Sequence, residues 1–221
     1  MKIVGLDMSV THTGAVKMTL DQNLEIVSID WLTFVTTKKY SSDNAIWYDE
    51  DSFTDKYDKY SFMQERILAF CEDAELVSAE DYAFGAKSTS GLIFDLAEFE
   101  GWIRQSIWRS GKPLYLYSPG TLKKLLTTHG DSDKLGMYRA YKSLQMPKPD
   151  LSSLPIVTNG KKGAKGTSDV IDAYAAALTL LYELKIERDG SASAFPSHIQ
   201  EIWKNRTRTV ICRSRGETDV G

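Results

Sequence analysis

The chain is poor in cysteine: two in 221 residues, Cys71 and Cys212, with no CxxC spacing. That excludes a disulfide framework and leaves the reduced thiols of a cytoplasmic protein as the expectation. No run of 18 apolar residues exists, so no membrane-spanning helix is expected. The first strand is read as beginning at Lys2, so no signal peptide is expected. Internal repeats are absent. Positive charge is not in excess either, and a net charge of −3 by itself argues against nucleic acid as a partner.

The distribution of charge says otherwise. Residues 21–100 hold 18 Asp and Glu against 6 Lys and Arg, whereas residues 111–166 hold 10 Lys and Arg against 3 Asp. A basic segment beside an acidic one is compatible with a polyanion partner, although solvated helix faces would give the same pattern. With 42% hydrophobic and 26% charged residues, the chain can bury one large core.

The spacing of apolar residues predicts three consecutive antiparallel strands. These are residues 2–7, Gly14–Leu20 and Leu24–Val35, the last two joined through the turn-forming Asp21-Gln22-Asn23. Residues 36–60 are polar, acidic and Tyr-rich, and read as an inserted loop. A helix to about Ala74 follows, then a short strand, ELVSAED, ending on an acidic pair. Leu92, Leu96, Phe99, Ile103 and Ile107 recur at intervals of three and four, one apolar helix stripe. PLYLY is a strand, and helices are predicted over 119–127 and 132–144. Residues 146–167 form a Pro/Gly/Lys linker. A long helix starts at Ser168, read as its cap. Residues 188–221 read as a basic tail without a core of its own. Antiparallel strands followed by βα units predict a mixed sheet of five strands with helices on both faces.

In such a sheet the crevice lies beyond the carboxyl ends of the parallel strands. Asp7 closes the first strand and Glu80 the fourth. Asp169 and Asp172, three apart, share one face of the last helix. Gathered in one crevice, four carboxylates would repel one another and raise each other's pKa values. A divalent cation removes that repulsion, and oxygen-only donors suit Mg²⁺ or Mn²⁺. Two such ions together can activate a water and stabilise a leaving oxygen in phosphodiester hydrolysis. Simpler readings exist: Asp169 and Asp172 also suit the positive end of a helix dipole. Asp81, on the opposite face of the strand from Glu80, is expected to be exposed. His12 and His129 are candidate ligands or bases, with mere solvation the commoner fate of a loop histidine.

Four runs, GLDMSVTHTGAV, VSAEDYAFGAKS, YLYSPGTLKKLLTTHGDSDK and SDVIDAYAAAL, occur in an order and spacing that resemble the RuvC family of Holliday junction resolvases, of the ribonuclease H-like superfamily. The matching segments span residues 2–35 and 75–180. The resemblance implies that Asp7, Glu80, Asp169 and Asp172 are a catalytic, metal-binding tetrad for Mg²⁺ or Mn²⁺, with two ions per site. It makes Lys123 and Lys134 the basic residues beside the active site, suited by charge to phosphates and, for Lys134, to the chemistry itself. Lys124, Lys87 and the loop lysines Lys161, Lys162 and Lys165 extend the DNA-binding set. It also implies a base-stacking aromatic after Glu80, with Tyr82 and Phe84 flanking the matching position. Finally, it makes the stripe of Leu96, Phe99, Ile103 and Ile107 a homodimer interface, which suits the two equivalent strands of a four-way junction. The stripe could equally pack on the protein's own sheet.

The acidic insert 36–60, the longer basic loop 146–167 and the tail 188–221 depart from the compact bacterial pattern, as a phage or organellar relative would. The expectation is therefore a ribonuclease H-like nuclease domain over residues 1–187 that resolves branched DNA in recombination and repair. A ribonuclease H-like nuclease acting on flaps or structured RNA would keep the same tetrad. An actin-like or sugar-kinase ATPase, which also opens on an Asp-terminated strand, would need a second phosphate loop and a Gly-rich adenosine motif, and neither occurs.

Overall fold

A computed structural model describes residues 1–81, 92–158, 166–205 and 208–211. Its centre is a mixed sheet whose middle strand, β1 (Lys2–Asp7), is buried on both faces. β2 (Gly14–Leu20) and β3 (Ile26–Val35) follow as an antiparallel meander, turning at Asp21, whose carboxylate accepts the amides of Asn23 and Glu25. β5 (Leu76–Glu80) then lies parallel to β1 on its other side, and β6 (Leu114–Tyr117) parallel to β5. The strand order is β4-β3-β2-β1-β5-β6-β7.

Among the described residues, seven strands stand where five are expected. The five central ones are those predicted, and the two extra ones are short additions at the edges. β4 (Ala45–Trp47) comes from the acidic insert and pairs parallel to the end of β3. β7 (Arg208–Ile211) comes from the C-terminal segment and pairs antiparallel to β6. Strands of three and four residues carry too little alternation to be read from sequence; the exposed backbone of a neighbouring edge strand induces them. The C-terminal segment also contributes α6 (Ser197–Lys204), whose Ile199 is buried and whose Ile202 packs against the main core. The segment read as coreless therefore shares the core of the sheet.

Helices cover both faces. On one side lie α1 (Lys56–Cys71) and α2 (Leu92–Arg109); on the other, α3 (Pro119–Thr127), α4 (Lys134–Ser143), α5 (Thr167–Asp189) and α6. The first turn of α1 falls inside the insert, where the Asp55 side chain caps it by accepting from Tyr57 and Asp58 amides. The apolar stripe of α2 faces inward. Phe99, Ile103 and Ile107 have no exposed surface, and Phe99 packs on Tyr60 of α1 with ring centroids 5.0 Å apart. These three residues are core, enclosed by α1 and the sheet, so they offer no face to a partner; Leu96 is half-buried. The apolar residues that α2 leaves exposed are Ile93 and Phe94.

α5 begins one residue before Ser168. Gly166 is its N-cap, with a positive φ of 89°, and Ser168 lies buried inside the first turn. This helix runs closer to the sheet than ordinary side chains would permit. A Cβ on Gly5 would lie 2.2 Å from the Ala173 carbonyl oxygen, and one on Gly14 would lie 2.2 Å from that of Asp169. Two glycines on adjacent strands, opposite an alanine-rich helix face, thus bring the start of α5 against the end of β1. Among the described residues no helix is long and apolar enough to cross a membrane.

Candidate active site

The parallel strands β1 and β5 end side by side, Leu6 opposite Ala79, so Asp7 and Glu80 emerge at the same edge of the sheet. α5 brings Asp169 and Asp172 to that edge. All four carboxylates line one cavity of about 400 Å³, with Lys123, Lys134, Ser9, Pro119, Leu122 and Met137. α3 delivers Lys123: it starts directly after β6, capped by Ser118, whose hydroxyl accepts the Thr121 amide. Lys134 opens α4, capped by Asp133, and its Nζ donates to Ser168 Oγ at 3.2 Å. Between β1 and β2 the hydroxyl run forms a tight turn, in which Ser9 N donates to Thr13 Oγ1 at 3.0 Å and Thr13 Oγ1 donates to Ser9 O at 2.7 Å. The insert braces this turn, since the Tyr48 hydroxyl donates to the Thr11 carbonyl at 2.9 Å.

Packing four acids together has the expected electrostatic consequence. Burial pushes the Asp7 carboxyl well above its ordinary range, and the charges of Asp172, Asp169 and Glu80 push it further, against the pull of Lys134. Burial, then Glu80 and Asp169, raise Asp172 to about 7, opposed by the two lysines. Glu80 is also raised by burial, with Lys123 and Lys134 lowering it. Such perturbed groups in a cleft mark a functional site. Asp169, buried, accepts the Gly166 amide at 2.6 Å and so caps its own helix as well as facing the cavity. As the side chains stand, no three His, Cys, Asp or Glu groups among the described residues close around one point. The donor set nevertheless fits a hard divalent cation. It is all oxygen, anionic and strained toward protonation by its own repulsion, which a cation would relieve.

Other expected residues fall elsewhere. Lys124 turns away from the cavity and pairs with Glu201 of α6 at 2.5 Å. Neither His12, which is buried, nor His129, which is exposed, lines the cavity. Tyr82, Phe84, Lys87, Lys161, Lys162 and Lys165 lie outside the described residues. Asp81 is not simply solvated, for it meets Arg104 of α2 at 3.3 Å. Arg104 went unread in the sequence. Its signal was a charged residue next to Ile103 in a core stripe, four positions after Glu100.

Comparison with known proteins decides the family. The crossover junction endodeoxyribonuclease RuvC of Wolinella succinogenes is 30% identical to this chain over 135 residues, which are 56% of this chain and 72% of that protein. The chain belongs to the RuvC family of crossover junction endodeoxyribonucleases. The fold agrees. The Thermus thermophilus RuvC in complex with Holliday junction substrate superposes with a TM-score of 0.53 at 18% identity, over 85% of this chain and 96% of that one. A fowlpox virus resolvase in complex with Holliday junction DNA gives a TM-score of 0.46 at 12% identity, over 83% of this chain and 99% of that one. No protein-family model matches the chain. As a RuvC-family protein it carries the ribonuclease H-like sheet expected from its sequence, with β4 and β7 added at the two edges.

Proposed function

We propose that this chain resolves four-way DNA junctions by paired phosphodiester hydrolysis, with Asp7, Glu80, Asp169 and Asp172 holding one or two divalent cations, Mg²⁺ or Mn²⁺. The observation that carries the reading is the convergence of these four acids and two lysines in one cavity at the carboxyl ends of β1 and β5. When bound, the cations supply Lewis-acid polarisation of the phosphate and a more acidic water. The chain's own residues account for the rest. Asp7, central and most crowded by charge, holds the reacting phosphate's cations from the sheet, while Glu80 and Asp172 enclose the cavity from either side. Lys123 and Lys134 bring positive charge to a wall that would otherwise repel DNA, and bind non-bridging phosphate oxygens. The experiment is incubation of the purified protein with a synthetic four-way junction and Mg²⁺. Nicks at symmetric positions in opposing strands are expected; cleavage of single arms or of RNA flaps alone would overturn the reading.

Apo stability offers an independent check. Asp7, Glu80 and Asp172 titrate higher when folded than when unfolded, so the folded state holds extra protons between roughly pH 4 and 7. Stability in EDTA is therefore greatest below that window and falls as pH rises through it. At pH 8, Mn²⁺ should raise the melting temperature. Asp172→Asn should raise it in EDTA by about 3 °C or more, at roughly 2–4 °C per kcal/mol, and blunt the Mn²⁺ response. A variant no more stable than wild type in EDTA would refute the crowding of charge.

Paired cutting calls for a homodimer, and the exposed face of α2 suits its seam. Phe94, 78% exposed, and Ile93 project from that face. Phe94→Lys should give a folded monomer by light scattering, whereas Ile103→Lys, placing a charge in the core, should fail to yield soluble protein. A dimeric Phe94→Lys protein would exclude this seam.

A further inference from the structure

Outside the cavity, the most heavily constrained charged side chain near it is Arg104. It lies on α2 with only 9% of its surface exposed, and its donors reach three acceptors. Nη2 donates to the Glu80 main-chain carbonyl at 3.2 Å and to Glu100 Oε2 at 2.8 Å, and Nη1 to Asp81 Oδ1 at 3.3 Å. Of these residues Glu80 lines the cavity, whereas Asp81, Glu100 and Arg104 itself do not.

We propose that Arg104 is the positioning residue of Glu80, fixing the end of β5 so that this carboxylate points into the cavity. The proposal rests on the reading of Glu80 as a cation-holding group. Its physical basis is the peptide plane between Glu80 and Asp81. β5 stops at Glu80, one residue beyond its last pairing with β1. Here the plane is gripped on both sides: Arg104 takes the Glu80 carbonyl, and the Asp81 amide donates to the Tyr117 carbonyl at 2.8 Å. Because the peptide is rigid, pinning both its ends sets ψ of Glu80 and with it the setting of the side chain. A guanidinium suits the task because one planar fork can serve a carbonyl and two carboxylates at once, whereas an ammonium cannot reproduce that geometry. The two acids supply the partners that a buried cation requires. Arg104 acts on orientation and not on charge: burial holds the Glu80 carboxyl above its ordinary range, opposed by Lys123 and Lys134. The same contact to Asp81 fastens the chain immediately before the segment that carries Tyr82 and Phe84.

The test compares wild type, Arg104→Gln and Arg104→Lys. Three quantities are measured: Mn²⁺ affinity by calorimetry without DNA, the Mg²⁺ dependence of junction cleavage, and junction affinity in EDTA. Arg104→Gln should bind the junction as wild type does, yet need about 10–100-fold more cation for half-maximal binding and cleavage, the usual cost of losing a residue that orients a metal ligand. Arg104→Lys, which keeps the charge but not the fork, should recover only part of the loss. A residue that merely stabilised the fold would lower the melting temperature and leave the half-saturating cation concentration where it was. That result would overturn the proposal. If Arg104→Gln does not fold, Arg104→Lys decides: a raised half-saturating Mn²⁺ supports positioning, and a wild-type value refutes it. A wild type that binds Mn²⁺ but cuts no junction defeats the proposed function and leaves the Arg104 comparison intact. A wild type that binds no Mn²⁺ defeats both.

Discussion

Asp7→Asn protein is expected to bind a synthetic four-way junction and leave it uncut. The substitution keeps the volume of the side chain and removes one negative charge from the most crowded point of the cavity. Asp7 closes the central strand, where Gly14 of β2 pairs with it, so the loss falls on charge and not on placement. Neutralising a carboxylate that would hold the cations weakens the charge stabilisation they supply, at a cost of roughly 10³-fold in rate. Affinity for the junction in the absence of cation should rise slightly, since one repulsion toward phosphate has gone. Folding should be at least as favourable as in wild type, because a buried acid held above its ordinary range is replaced by a neutral amide. Gel assays of nicking and of binding separate the two effects. Undiminished cleavage by Asp7→Asn would sink the assignment of the site.

Gly14→Ala is the second substitution with a large expected effect, although Gly14 carries no functional group. Its added Cβ would lie 2.2 Å from the Asp169 carbonyl oxygen and 2.7 Å from the Val170 nitrogen, both backbone atoms of α5. Neither can turn aside like a side chain, so the start of the helix must retreat by about 1 Å, and a displacement of that size costs on the order of 10²-fold in rate. Asp169 and Asp172 retreat with it. The stability cost should be smaller in consequence, about 1–3 kcal/mol, as for other overpacked contacts. Gly101→Ala provides the control. Nothing lies within 4 Å of its Cβ and it is exposed on α2, so the same exchange there should raise stability by about 0.5–1 kcal/mol through better helix propensity. Cleavage by Gly14→Ala at the wild-type rate would show that α5 can reseat without moving its acids.

The central sheet was legible because its signals are local. Lys2–Asp7 is a continuous apolar run ending in a charge, Asp21-Gln22-Asn23 is turn chemistry, and the stripe from Phe99 to Ile107 keeps helical period. The four carboxylates were legible for a related reason: acids at strand ends and at i, i+3 on a helix are unusual enough to be noticed one at a time. Residues whose meaning depends on distant neighbours were not legible. The stripe on α2 has the same period whether it meets a partner subunit or α1, and only the presence of Tyr60, Met63 and Ile67 across from it makes it core. Lys123 and Lys124 are adjacent in sequence and equally basic. About 100° of rotation around the helix separates their fates, the first facing the cavity and the second pairing with Glu201.

The amino-acid sequence alone determined the order of the central elements and the type of sheet, and it singled out the four acids that line the cavity, because each follows from short-range pattern and residue chemistry. The tertiary structure alone decided which lysines line the cavity, which face of α2 is free, how the insert and the C-terminal segment add strands at opposite edges, and that Arg104 grips the end of β5. Those outcomes turn on contacts between segments far apart in the chain. Whether a side chain is buried, paired or exposed is set there by what packs against it, and no local pattern carries that information.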